Sequence, residues 1–260
     1  MSKPTIDQLR EQVRAPVITA GDPQYEEARA VHNGMLDKHP KAVIQAAHVA
    51  DVIAGVNFAR DAGLELSVRG GGHSAPGFGT TDDGVVIDLS PMRDVHVDPQ
   101  AGTARPGGGT TWGDFNYATH AYGLATTGGI ISTTGVGGLT LGGGIGYLAR
   151  GYGLSIDNLR SAEVVTADGR VAMASEDENA DLFWALRGGG GNFGVVTSFE
   201  FQLHPVDDIY AGIFFYELES AGDVLRFFRD FIPRGAGGLR GVPGLPDRAT
   251  AGVRPARPGG

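Results

Sequence analysis

The chain has 260 residues, a formal net charge of −9, 41% hydrophobic and 20% charged residues, 43 glycines and no cysteine. That length buries a sizeable core in one or two domains of ordinary globular composition. The acidic balance disfavours nucleic acid and anionic membrane as partners. The lack of cysteine excludes disulfides, thiolate metal sites, iron–sulfur clusters and cysteine nucleophiles.

Residues 1–30 read as a polar helix followed by a loop with Gly21-Asp22-Pro23. This start lacks the apolar stretch of a secretory leader. No run approaches the roughly 18 apolar residues of a membrane span, so a cytoplasmic location is expected. Lys41 to Gln45 reads as a strand. His48 to Ala62 has helical apolar spacing at Val49, Ile53, Val56 and Ala59, and Gly63 closes it. Leu64 to Val68 is the next strand, completing a β-α-β unit.

The stretch from Arg69 to Gly79 follows, with His73 among five glycines. Glycine leaves no Cβ between backbone and ligand, and consecutive amides can form an anion-binding nest. Arg69 is expected to place a positive charge at the mouth, with Gly70, Gly71, Gly72 and Ser74 around the imidazole. Such a loop suits a diphosphate, and His73 is placed to touch or bond what the diphosphate carries. A plain hydrogen-bonding loop histidine satisfies the same pattern.

Short strands come next at Val85 to Leu89 and Asp94 to Asp98, then a second glycine turn from Gly102 to Gly109. Trp112 to His120 reads as a helix. A third cluster, Gly128 to Gly146, has nine glycines in nineteen positions. Asn158 to Ala167 reads as a strand turning at Asp168-Gly169. Asp181 to Leu186 is a helical turn leading into Arg187 to Gly194, and Val195 to Leu203 alternates as a strand. The fold class is α+β, with glycine turns carrying the site. Leu218 to Ile232 keeps a helical apolar pattern. From Arg234 onward the text is rich in Gly, Arg, Pro and Ala without aromatics, and disorder is expected. A flexible tail fits this stretch, and so does a frameshift or truncation replacing a second domain.

Gly189-Gly190-Gly191-Asn192-Phe193-Gly194 matches G-x-G-x-x-G as text, but a helix precedes it and a strand follows, the reverse of a dinucleotide site. No P-loop string is present. The histidines at 32, 39, 48, 96, 120 and 204 show no metal-ligand spacing and read as surface or packed residues. No metal site is expected, and no G-x-S-x-G elbow exists.

Six motifs stand in order: R-G-G-G-H-S, V-V-I-D-L-S, P-G-G-G-T-T-W, G-V-G-G-L-T-L-G-G-G-I-G-Y, D-N-L-x-x-A-E-V-V-T-A-D-G and W-A-L-R-G-G-G-G-N-F-G-V-V-T. Together they resemble the FAD-linked oxidases with a PCMH-type flavin domain. Within the vanillyl-alcohol-oxidase superfamily they look closest to the berberine-bridge-enzyme-like branch. The resemblance covers roughly residues 15 to 233. It implies two α+β subdomains with FAD between them and a diphosphate on loop 69–74. The expected layout is a helical lead-in over 1–34, the FAD-binding domain over 35–205, the start of a truncated substrate domain over 206–233, and the tail over 234–260.

By the same resemblance His73 falls on the histidine bonded to the flavin 8α carbon. Ile131 stands where doubly tethered members have cysteine, so a single attachment is implied. Thr134 occupies the position that governs oxygen access. Gly135, Gly137, Gly138, Gly142 and Gly143 would approach the flavin by backbone, with Asp157-Asn158 packed nearby. Gly194 and Val196 would line the adenine end. For each glycine, a turn needing positive φ is an equally good reading. The implied activity is oxidation of a small alcohol, sugar or amine, with FAD as cofactor and dioxygen as acceptor. An FAD-binding piece without turnover is the alternative, and a dehydrogenase using another acceptor is a third. No base is assigned; Tyr147, Tyr152 and Tyr216 are available.

Overall fold

The computed structural model describes residues 3–206, 209 and 212–234. The elements of the first unit, in chain order, are α1 (Ile6–Gln12), β1 (Val17–Ile18), α2 (Tyr25–Arg29), β2 (Ala42–Gln45), α3 (Val49–Ala62), β3 (Leu66–Arg69) and β4 (Val85–Asp88). Then come β5 (Val95–Asp98), β6 (Thr103–Pro106), α4 (Trp112–His120), β7 (Leu124–Ala125), α5 (Val136–Leu141), α6 (Ala149–Tyr152), β8 (Leu159–Val165), β9 (Val171–Ser175), α7 (Ala180–Gly189), β10 (Val195–Gln202) and β11 (His204–Pro205).

These strands form two main sheets, in the order β1-β2-β4-β3 and β5-β6-β10-β8-β9. In the first, β2, β4 and β3 run parallel, and β1 adds an antiparallel edge. The second is antiparallel throughout. The α+β reading with two subdomain sheets holds.

The β-α-β unit forms where the periodicity places it. Val52, Val56 and Ala59 of α3 pack on Ile44 and Ile87 of the sheet. Gly55 allows this approach, since a Cβ there would lie 2.9 Å from Ile44 Cδ1. Gly63 ends α3 in the left-handed conformation, with φ of 65°. Asp51 anchors the other end: its carboxylate accepts the amides of Ala47 and His48, and those of Arg14 and Ala15. One buried carboxylate thus starts α3 and ties down the N-terminal segment.

The polar helix expected at the start of that segment is α1, and the loop after it contains further short elements. A capping box between Thr5 and Gln8 starts α1, which ends at Gln12 before Pro16. Chain with little apolar periodicity then supplies β1 and the short α2.

Under the second sheet, Trp112, Phe115 and Phe201 pack edge to face, with centroids 5.4 to 6.1 Å apart. α4 begins at Thr111, whose hydroxyl accepts from Asp114 N while Asp114 returns the bond. α7 is longer than the expected helical turn and kinks at Arg187 and Gly188. β10 slips register between Val196 and Ser198. At that irregularity Gly108 N donates to Thr197 O at 2.8 Å, stitching the second glycine turn to the sheet.

In the second unit, α8 (Ala221–Phe231) is amphipathic, with Leu225, Phe227 and Phe231 exposed and the two phenyl rings stacked 5.0 Å apart. The tail expected to be disordered falls on 235–260, outside the described residues. Among the described residues no helix is long and apolar enough to cross a membrane.

Candidate functional site

The turn leaving β3 opens onto a cleft of about 550 Å³. Its walls come from three segments: 30–32, the stretch from Arg69 to His73 with Asp88 and Ser90 beside it, and Thr133. This is the size of a small-molecule or cofactor pocket.

Three glycine turns far apart in sequence meet here by backbone. A Cβ on Gly71 would lie 2.7 Å from Gly135 Cα, and one on Gly70 would lie 3.3 Å from Gly108 O. A Cβ on Gly137 would meet Phe199 at 3.2 Å and Gly108 O at 3.6 Å. The first, second and third clusters therefore cross at van der Waals contact, and side chains would separate them. Gly72 turns with φ of 71°.

Among the described residues, the amides of Gly70, Gly71, Gly72, His73 and Ser74 donate to no protein acceptor. Unpaired backbone donors need water or a ligand, and a run of them on one turn suits an anion. Ser74 Oγ accepts from Phe78 N at 3.0 Å and so braces its own loop.

His73 is half-buried in the cleft wall. Its Nε2 lies 3.0 Å from Thr133 Oγ1, and its ring stacks on His32 with centroids 4.0 Å apart and planes 13° from parallel. Burial, with a smaller contribution from His32, holds its pKa below the usual histidine value. That shift favours the neutral imidazole, the form that has a free lone pair.

Arg69 departs from expectation. It is 7% exposed, and its Nη2 donates to Asp88 Oδ2 at 2.8 Å. Nη1 donates to Ala30 O at 3.1 Å. The guanidinium is a neutralised strut beneath the glycine turn rather than an open charge at the mouth, because a buried cation needs a paired anion.

Val196 also differs: its side chain is 5% exposed and packs in the second hydrophobic core with Phe199 and Val164. Gly194 is needed for strand packing, since its φ is 146° and a Cβ would meet Val165 O. Gly138 has nothing near its Cβ position, while Gly142 and Gly143 lie at the far end of α5. Gly143 and Gly144 carbonyls accept from Ile156 and Ser155, so the segment before Asp157-Asn158 does pack on the third cluster. Thr134 is held by its backbone: its N donates to Ile131 O at 3.0 Å and its O accepts from Trp112 N at 2.9 Å.

Local sequence carries no signal for the other cleft residues, His32, Asp88 and Thr133 among them. His32 has no metal-ligand spacing, Asp88 lies inside V-V-I-D-L-S, and Thr133 stands beside Thr134. Among the described residues no group of three or more His, Asp or Glu is placed to hold a metal.

The cradle fits a dinucleotide cofactor on its own geometry: a run of amides that donate to no acceptor among the described residues for a diphosphate, glycine crossings that hold the three turns together, and an imidazole at the rim. Comparison with known proteins points the same way. Residues 40–175 match the FAD binding domain family. Over 194 residues the chain is 41% identical to (R)-6-hydroxynicotine oxidase of Paenarthrobacter nicotinovorans, covering 75% of this chain and 42% of that protein. The structure of BBE-like 1 from Physcomitrella patens superposes with a TM-score of 0.74 at 32% identity, covering 77% of this chain and 44% of that one. Xylooligosaccharide oxidase from Myceliophthora thermophila C1, solved with xylobiose, gives 0.73 at 33% identity, covering 77% and 43%.

The chain belongs to the FAD-linked oxidoreductases with a PCMH-type flavin domain, in their berberine-bridge-enzyme-like branch. It spans less than half the length of these relatives.

Proposed function

We propose that this chain binds FAD, carries it on a single bond to His73, and belongs to an oxidase of small alcohols, sugars or amines. The observation that carries the reading is the His73 imidazole at the edge of a turn whose five amides, 70 to 74, donate to no acceptor among the described residues. FAD, when bound, supplies hydride acceptance from the substrate and passes the electrons to dioxygen.

The chain's own residues do the rest. The amides of 70–74 hold the diphosphate, and the Gly71–Gly135 crossing keeps their loop in shape. Gly138, with open space at its Cβ position, admits the flavin to the backbone. Ile131, 55% exposed, has no thiol where a second tether would need one. Thr134, near Val in shape, leaves an opening for dioxygen.

One observation favours the second reading, FAD binding without turnover. Among the described residues no tyrosine lines the cleft. Tyr152, a candidate base, stacks on His204 at 4.1 Å and its hydroxyl donates to Pro205 O at 3.3 Å. Tyr216 belongs to the second unit.

Two assays test this. Titration of FAD into the apo chain, followed by flavin fluorescence, should show saturable binding. A peroxide assay over sugars, alcohols and amines then separates the readings. Peroxide release supports the oxidase, and tight binding without peroxide supports the binding piece. Absence of binding contradicts both.

A further inference from the structure

We propose that residues 30–36 form a strap that holds the diphosphate turn in its binding shape, and that the stacked His32–His73 pair makes this hold sensitive to pH. The inference rests on the diphosphate reading above and concerns what keeps the amides of 70–74 in place.

Residues 30–41 join α2 to β2 without a helix or strand of their own. The first part of this stretch is held by the turn instead. Arg69 Nη1 donates to Ala30 O at 3.1 Å, the amide of His32 donates to Gly72 O at 3.1 Å, and Asn33 Nδ2 donates to Ala75 O at 3.2 Å. Leu36 closes over Gly77, where a Cβ would lie 2.9 Å from Leu36 Cδ1. The strap thus takes two carbonyls of the turn and none of the amides from 70 to 74. In a trans peptide the C=O and the N–H point in opposite directions. Holding Gly72 O against the strap therefore turns the His73 N–H away from it. A ligand that needs several amides at once binds best when their directions are fixed beforehand.

The ring contact is the part of this hold that titrates. His32 and His73 lie face to face, with centroids 4.0 Å apart and planes 13° from parallel. Neutral rings stack well, whereas two charged rings at that distance repel. Burial, and then His32, keep the His73 pKa below the usual histidine value. Opening frees the imidazole from both, so the open strap takes up a proton that the closed strap resists. Closure is therefore favoured fully above about pH 6.5 and weakens as pH falls below it. The other groups around the pair are paired or uncharged. Arg69 meets Asp88 beneath the turn, Thr133 Oγ1 lies 3.0 Å from His73 Nε2, and beyond the strap Arg29 pairs with Asp37, which faces His39.

The test uses the apo chain at about pH 7.5 and about pH 5.5, either side of the usual histidine value. ADP-ribose is the probe. It carries the adenosine diphosphate half of FAD, keeps its diphosphate charge over this range and has no flavin ring. By charge alone, protonated histidines beside a diphosphate tighten binding. The strap gives the opposite sign: calorimetry should show ADP-ribose bound about tenfold more weakly at the lower pH, the scale of one like-charge contact. Hydrogen exchange of residues 30–36, corrected for the intrinsic rate, should lose protection in step. His32→Phe keeps a stacking ring without a titrating nitrogen and should bind within about twofold at both pH values. His32→Ala should bind weakly at both, and a cooperative melt shows that each variant has folded. Equal or tighter wild-type binding at the lower pH, or the same fall in His32→Phe, overturns the proposal. So does FAD binding with exchange of 30–36 that ignores pH, and the diphosphate reading then stands. A chain that binds neither FAD nor ADP-ribose at the higher pH removes that reading, and this inference with it.

Discussion

Arg69 and Asp88 occupy facing positions on adjacent parallel strands, and their side chains meet at 2.8 Å while 8% and 4% exposed. The strut lies under the turn that carries His73. Asp88 Oδ1 also accepts from Ser90 N at 3.0 Å, so one carboxylate orders the ends of both strands. Removing it strands a buried cation, which typically costs about 3–5 kcal/mol. Asp88→Ala should therefore lower the urea midpoint strongly and weaken FAD binding together. Asp88→Asn, which keeps an oxygen for Ser90 N, should cost less. Unchanged stability in Asp88→Ala would show that Arg69 finds another partner.

Gly71→Ala tests the crossing of the first and third glycine turns. The added methyl would sit 2.7 Å from Gly135 Cα and 3.0 Å from Thr133 O, all backbone that side-chain rotation cannot relieve. Overpacking of this kind typically costs about 1–3 kcal/mol. The variant should melt lower and bind FAD less tightly. Gly138→Ala, with nothing within 4 Å of its Cβ position, serves as the control and should behave as wild type in melting.

Much of this arrangement was legible in the chain itself. The 3.6-residue spacing of α3, its Gly63 stop and the alternation in β10 follow from local periodicity, and the glycine clusters announced backbone contacts. The tie between the N-terminal segment and Asp51, far along the chain, has no local signal in the sequence. The partner of Arg69 required knowing that β3 lies beside β4 in register, which no local pattern carries. The His32–His73 stack is likewise a product of tertiary folding, invisible in spacing. Val196 was placed at the ligand by motif position, while the strand's alternation turns its side chain into the core.

The histidines give a pH prediction. Burial holds His73 and His204 below the usual histidine value. Between those lowered values and about 6.5, the unfolded chain binds more protons than the folded one. Stability in that window should rise with pH and be lost as pH falls through 6.5. The lowered carboxylates, such as Asp114, act below about pH 4 and leave this window to the histidines. Urea midpoints of the apo chain from pH 5 to 7.5 should show the slope, and His204→Gln should flatten it. An equal slope in that variant would place the linked proton elsewhere.

His204 also locks the segment after α6. Its Nε2 pairs with Asn158 Oδ1 at 2.6 Å, and Asn158 Nδ2 donates to Tyr152 O and Leu154 O. Asn158→Ala should unpair these groups, at a cost of about 1–3 kcal/mol by thermal melting. FAD affinity should fall less than in Gly71→Ala, because the amides of 70–74 stay in place.

The most direct measurement is the intact mass and visible spectrum of the protein fraction after acid denaturation of FAD-reconstituted chain. A yellow polypeptide heavier by one flavin dinucleotide is expected, with His73→Ala colourless after the same treatment. A colourless wild-type polypeptide of unmodified mass, or one still yellow after His73→Ala, would contradict the assignment of His73.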